Sequence, residues 1–203
     1  MATLDILTSV ALGVGLAAAV GLRVFLPLLV LSIAGYAGVV PLSESFQWLA
    51  TLPAVAMLGV AAAAEIAAYY IPGVDNLLDA LATPAALVAG TIAAAAVMTE
   101  LPPIVKWTTA VIAGGGAAGL TQGVSALLRA KSTATTGGLG NPFVATGELG
   151  GATALSLLAI FAPIVALALV VLAAWLAIKG LRRLFARRAP AAAAPAAPPP
   201  QGS

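Results

Sequence analysis

Hydrophobic positions in this chain run in long blocks rather than alternating with polar ones. The first block extends from about Leu4 to Val40 and is punctuated by Gly13, Gly15, Gly21, Arg23, Pro27, Gly35 and Gly38. It is too long for one simple span. It predicts a helix to about Gly21, a break, and a second short helix from about Phe25 to Ala37. Pro41 to Gln47 reads as a polar turn. A second span is expected from Trp48 to Ile71, ended by Pro72-Gly73, and a third from Asn76 to Met98, ended by Thr99 to Pro103. A fourth covers Ile104 to Leu128. Ser132 to Glu148 is rich in Ser, Thr and Gly and by composition is not a helix. The last apolar run, Gly150 to Ile178, carries Pro163 as an expected kink.

Crossing the hydrocarbon core takes roughly 20 mostly apolar residues per helix. Several of these blocks reach that length. Backbone polar groups in lipid must be paired within the protein, which leaves helices or a closed barrel. A barrel would show short alternating segments; the Ala/Leu/Val blocks point to helices. The expected fold class is therefore an all-α membrane protein with about five to six transmembrane helices, some of them broken or re-entrant. Residues 1–188 would form the multi-pass domain. The Ala/Pro-rich tail, 189–203, cannot bury a core and is expected to be disordered.

Composition agrees. Of 203 residues, 62% are hydrophobic and only 8% charged, too little charge to clothe a soluble surface. The absence of cysteine and histidine removes disulfides, thiolate nucleophiles, Cys/His metal sites and His-based acid–base chemistry, so neither a cofactor nor a metal is expected, and no enzyme. No basic patch interleaved with aromatics suggests nucleic acid. Met1 to Asp5 lacks a basic leader segment, so the first helix is expected to be retained. Lys179, Arg182, Arg183, Arg187 and Arg188 flank the last span and predict a cytoplasmic C-terminus in the inner membrane.

Two stretches resemble one another. Gly13 to Arg23 and Gly114 to Arg129 are glycine-rich and end in arginine, each followed by a Gly/Pro region and then a glutamate, Glu44 or Glu148. Paired interrupted segments of this kind suggest an internal repeat of the inverted, transporter type.

Charges inside spans carry the candidate chemistry, since each costs roughly 2.5–3.5 kcal/mol to insert unless paired or wetted. Glu65 lies inside the second span, either as an ion- or proton-coupling carboxylate or as the partner of Arg23, Arg129 or Lys131. Asp75 and Asp79, one turn apart at the start of the third helix, serve as cap and dipole partner or join a carboxylate cluster with Glu65. Arg23, in the first break, either snorkels to the interface or lines a substrate path. The stretch from Lys131 to Glu148 offers Thr135, Thr136 and Asn141 as neutral ligands if it re-enters the membrane, and is an ordinary loop otherwise. The candidate substrate- or ion-binding set is Arg23, Glu65, Asp75, Asp79, Lys131, Thr135, Thr136, Asn141 and Glu148.

The segments GLRVFLPLLVL (Gly21 to Leu31), EIAAYYIPGVDNLLDALATP (Glu65 to Pro84) and AKSTATTGGLGNPFVATGE (Ala130 to Glu148) resemble the bacterial membrane family Domain of Unknown Function 4126, over roughly Leu12 to Leu172. The resemblance implies the membrane fold and singles out the same positions; it implies no activity. The leading expectation is a small transporter or channel-like protein for an ion or small solute, embedded in the lipid bilayer and completed by a homodimer where one small chain does not enclose a pathway. The alternative is a non-transporting scaffold, assembly or lipid-interacting protein.

Overall fold

A computed structural model describes residues 2–71 and 74–186. The Ala/Pro tail, Arg187, Arg188 and the Pro72-Gly73 break lie outside the described residues, as do the side chains of Asp75, Asp79 and Arg183. The described residues are helical: α1 (Ala2–Val20), α2 (Phe25–Tyr36), a 3-10 helix (Glu44–Ala50), α3 (Leu52–Ala68), α4 (Val74–Val97), α5 (Pro103–Thr109), a π-helical segment (Ala110–Gly115), α6 (Gly116–Thr136), α7 (Asn141–Phe161) and α8 (Pro163–Ala186).

Among the described residues, four stretches are long and apolar enough to cross a membrane: Ala80–Val97, Pro103–Thr136, Asn141–Phe161 and Pro163–Gly180. The 3-10 helix and α3, bent by 70° at Thr51, make a fifth if taken together, and α1 and α2 are shorter apolar helices. This is an all-α membrane protein. Thr51 caps α3 by accepting the Ala54 N–H on its hydroxyl.

The break predicted between α1 and α2 is present. Two expectations are corrected. Ser132 to Glu148 is mostly helix, because α6 runs to Thr136 and α7 starts at Asn141. The hydroxyls that disfavour helix by composition bond back within it: Thr135 Oγ1 donates to the Lys131 carbonyl at 2.9 Å and Thr136 Oγ1 to that of Ser132 at 2.7 Å. The turn between the helices begins at Gly137 and Gly138, whose φ of 63° and 92° suit glycine. The second correction concerns Pro163. Ala159 and Ala166 both approach Gly15, yet in one continuing helix seven residues would separate them by about 10 Å. The chain therefore reverses at Ala162, whose φ of −143° and ψ of 64° are not helical, and Pro163, lacking an N–H, starts a new helix rather than kinking an old one.

Helix α1 is the axis of the bundle. Ala11 to Val20 are buried all round, as expected of a helix that is apolar on every face and surrounded by others. It packs against α4, α7, α8, α6 and α2. Small residues set these contacts. Gly13 faces Ala94 and Met98 while Gly90 faces Ala17 and Ala118, so α1 and α4 are antiparallel; Gly119 faces Leu87 and Gly114 faces Ala94, so α4 and α6 are antiparallel too. Hence α1 and α6 run the same way. The two glycine-rich stretches are parallel rather than inverted, and any repeat built on them has parallel halves. Gly151 lies against Leu22 and Gly15 against Ala159, so α7 opposes α1, and α8 returns alongside it. One end of the bundle therefore gathers the ends of α1, α6 and α8 and the starts of α2, α4 and α7.

Outward-facing apolar side chains such as Met57, Val60, Val88, Ile112, Leu157, Val171 and Leu172 are exposed in the chain alone. A soluble surface would not carry such a band; acyl chains cover it in a bilayer.

Candidate functional site

At the gathered end, polar side chains that are far apart in sequence meet inside the apolar bundle. Arg23 sits in the α1–α2 break, Glu65 and Tyr69 at the end of α3, Ser125 and Arg129 on α6, and Glu148 on α7. Their relative exposures are 1% for Arg23, 2% for Arg129, 7% for Glu148, 9% for Glu65 and 6% for Tyr69. Arg129 lies seven residues before the end of α6 and Glu148 seven after the start of α7, so the cluster is about 10 Å inside the bundle.

Glu148 is the hub. Its carboxylate accepts both Nε (3.1 Å) and Nη2 of Arg129, in the paired geometry that fits guanidinium to carboxylate. It also accepts the Ser125 hydroxyl, and its Oε2 lies 3.4 Å from Arg23 Nη2. Ser125 and Arg129 are one helical turn apart and share a face. Arg23 Nη2 donates further to the Ala145 carbonyl at 2.9 Å. Both guanidiniums stand over the ring of Tyr69, at 3.9 Å for Arg23 and 4.2 Å for Arg129, an arrangement that electrostatics with the ring face favours. Arg23 thus does not snorkel; it is buried where the helix breaks.

Glu65 has a different task. Its Oε1 accepts the Val24 N–H at 2.7 Å and its Oε2 the Phe25 N–H at 3.0 Å. These are amides at the start of α2, which have no partner within that helix, and in an apolar interior they need one. A negative group there is also favoured by the helix dipole. Glu65 therefore secures the break rather than reaching Arg129 or Lys131. Glu65→Gln keeps one good acceptor and turns an N–H2 toward an amide. The expected cost is about 1–2 kcal/mol of stability, checked by thermal unfolding, with faster hydrogen exchange at Val24 and Phe25.

Of the other expected site residues, Asn141 is buried, and its amide exchanges hydrogen bonds with Thr133 Oγ1 at 3.1 and 3.4 Å. Lys131, Thr135 and Thr136 are exposed at the end of α6. Thr136 Oγ1 also accepts the Gly140 N–H at 2.9 Å, which ties the turn to the helix. The backbones of Asp75 and Asp79 lie in the first turns of α4, at the same end of the bundle. Among the described residues, no group of three His, Cys, Asp or Glu is placed to hold a metal ion.

Sequence reasoning passed over Arg129, Tyr69 and Ser125 as site residues. Arg129 carried a signal, a charge well inside a helix with a hydroxyl one turn before it. Tyr69 carried none, since aromatics at the ends of spans are common.

Residues 10–183 match the model of a family described as a domain of unknown function, DUF4126. No curated protein and no solved structure matches the chain.

Proposed function

We propose that the chain, which belongs to the DUF4126 family, is a small transporter or channel-like protein that passes an ion or small solute across the inner membrane. One observation carries this reading: the Arg23–Arg129–Glu148–Tyr69 cluster, buried where the central helix is interrupted. Ionisable groups at membrane depth are costly and mark substrate or ion paths more often than ordinary packing. Broken helices at that depth are a recurrent feature of transport sites. No catalytic step forms part of the proposal. A homodimer is compatible with it and completes the pathway if one chain is too small to enclose it.

The basic residues Lys179 and Arg182 lie on α8 toward the same end of the bundle as the cluster. The excess of basic residues favours a cytoplasmic position for that end, with the start of α1 on the opposite side.

A second reading, a scaffold without a path, is favoured by the pairing of Glu148 with Arg129, Ser125 and Arg23, which satisfies its carboxylate internally. Water access separates the two. The chain has no cysteine, so single cysteines report without background. Leu139→Cys, in the exposed α6–α7 turn, is expected to react with a membrane-impermeant thiol reagent from the cytoplasmic side only. Ser125→Cys is expected to react as well, more slowly, because water reaches Glu148. If Ser125→Cys stays unlabelled from both sides while its denatured control reacts, the path is absent and the scaffold reading takes over.

A further inference from the structure

The guanidinium of Arg23 is only partly used. Its Nη2 serves Ala145 and Glu148, whereas its Nε and Nη1 are buried with no hydrogen-bond partner. Buried donors are nearly always satisfied, and an exception calls for an explanation such as a bound ion. Leaving a charged donor unsatisfied in an apolar interior costs more than leaving a neutral one. Among the described residues, neighbouring acceptors do not supply the need. The Glu65 carboxylate is turned to the Val24 and Phe25 amides, and Glu148 is engaged by Arg129, Ser125 and Arg23 Nη2. Tyr69 covers the guanidinium at 3.9 Å. Its ring offers a π face, which is no substitute for an acceptor in the plane of the N–H groups.

We propose that Arg23 Nε and Nη1 are the recognition donors of a binding site for one small oxyanion, a carboxylate or phosphate group. The guanidinium fork matches the oxygens of such groups. Arg129, over the same ring, adds positive potential. The two donors have no contact with solvent, so the site is closed in this structure and the anion enters as the Tyr69 side chain moves aside. Lys131, Lys179 and Arg182 at that end of the bundle draw anions toward it. The inference deepens the transport reading by naming the chemistry of the solute; the binding itself stands or falls independently of flux.

The oxyanion has two sources, a free solute or the phosphate of a lipid headgroup, and the test separates them. The full chain is placed in nanodiscs of phosphatidylcholine, and thermal unfolding is followed against inorganic phosphate, with chloride holding ionic strength constant. The expected result is a saturable rise in Tm with phosphate and none with chloride. Arg23→Lys, which keeps the charge and loses the fork, weakens the apparent affinity roughly ten- to a hundredfold, the equivalent of one charge-assisted hydrogen bond. Glu100→Gln, an exposed control at the opposite end of the bundle, leaves it unchanged. In a second arm, phosphatidylglycerol replaces part of the lipid and phosphate is omitted. A rise in Tm there that Arg23→Lys removes, without a response to phosphate, assigns the site to a lipid headgroup. If wild type responds in neither arm, or Arg23→Lys responds like wild type, the proposal is overturned. Anion flux into liposomes is read in parallel. Stabilisation without flux keeps the site and removes transport, whereas flux without stabilisation keeps transport and removes the site.

Discussion

Glu148→Ala is expected to destabilise the protein by about 3–5 kcal/mol, the typical result of removing one partner from a buried ionic group. The reason is the company this carboxylate keeps. Arg129 loses its paired acceptor, Arg23 loses its counter-charge, and Ser125 loses the oxygen it donates to. Two guanidiniums then share the ring of Tyr69 with that carboxylate gone. Glu100→Ala provides the control. Glu100 is exposed, and its removal should change stability by no more than about 0.5 kcal/mol. Thermal unfolding in nanodiscs measures both. A third variant tells uncompensated charge from lost packing. With Arg23→Met, Arg129→Met and Glu148→Leu combined, no charge of this trio remains to be paired. Stability should return to within about 1–2 kcal/mol of wild type, because apolar replacements of buried ionic groups are often neutral. Such a chain would be folded and, on the reading proposed above, would neither bind an oxyanion nor conduct one. A triple variant as unstable as Glu148→Ala would show that the cluster acts through shape rather than charge.

Gly21→Val is expected to cost about 3 kcal/mol, the upper part of the range for overpacking a tight contact. A Cβ built at Gly21 overlaps the carbonyl oxygen of Ala118 and would lie 2.7 Å from Thr121 Cβ. The first obstacle is backbone in the middle of a membrane bundle and cannot swing away as a side chain does. Relief requires α1 and α6 to separate, and that movement would carry Arg23, two residues on, away from Glu148. The variant should therefore lose both stability and oxyanion response. Gly123→Ala is the contrasting case, since nothing lies within 4 Å of a Cβ there. Mid-helix alanine replaces glycine with a gain of about 0.5–1 kcal/mol. Equal effects at the two positions, read by the same unfolding assay, would mean that the α1–α6 approach does not set the fold.

The helices, and the break after Gly21, were legible because they depend on local properties. Long apolar blocks cannot pair their backbone with water, so they form helices, and glycine and proline mark where these stop. The reading failed where composition and context disagreed. The Ser/Thr-rich stretch after Lys131 looked irregular, but Thr135 and Thr136 satisfy their hydroxyls on carbonyls one turn back, and the helix continues. Pro163 looked like a kink inside one span; only the meeting of Ala159 and Ala166 at Gly15 reveals a reversal.

For the polar cluster the division is similar. Arg23 and Glu65 stood out as charges with no wet surface to occupy, since their insertion cost depends on residue type and hydrophobic surroundings alone, whereas Glu148 was singled out only as the glutamate that closes the stretch from Lys131 to Glu148. Which charge meets which was not determined there. Glu65 was open to Arg23, Arg129 or Lys131 as partners, yet its oxygens take the Val24 and Phe25 amides, while Arg129 pairs with Glu148 nineteen residues away. That Lys131 stays at the surface, two residues from a buried Arg129, follows from helix phase against α7. The sequence by itself determined that the chain lies in a bilayer, that its apolar blocks are helical, and which residues are too polar to be left unpaired there. The tertiary structure decided the pairing, because partners on different helices are chosen by helix direction, by the close approaches that Gly21, Gly90 and Gly114 allow, and by where the chain reverses, none of which is a property of any one segment.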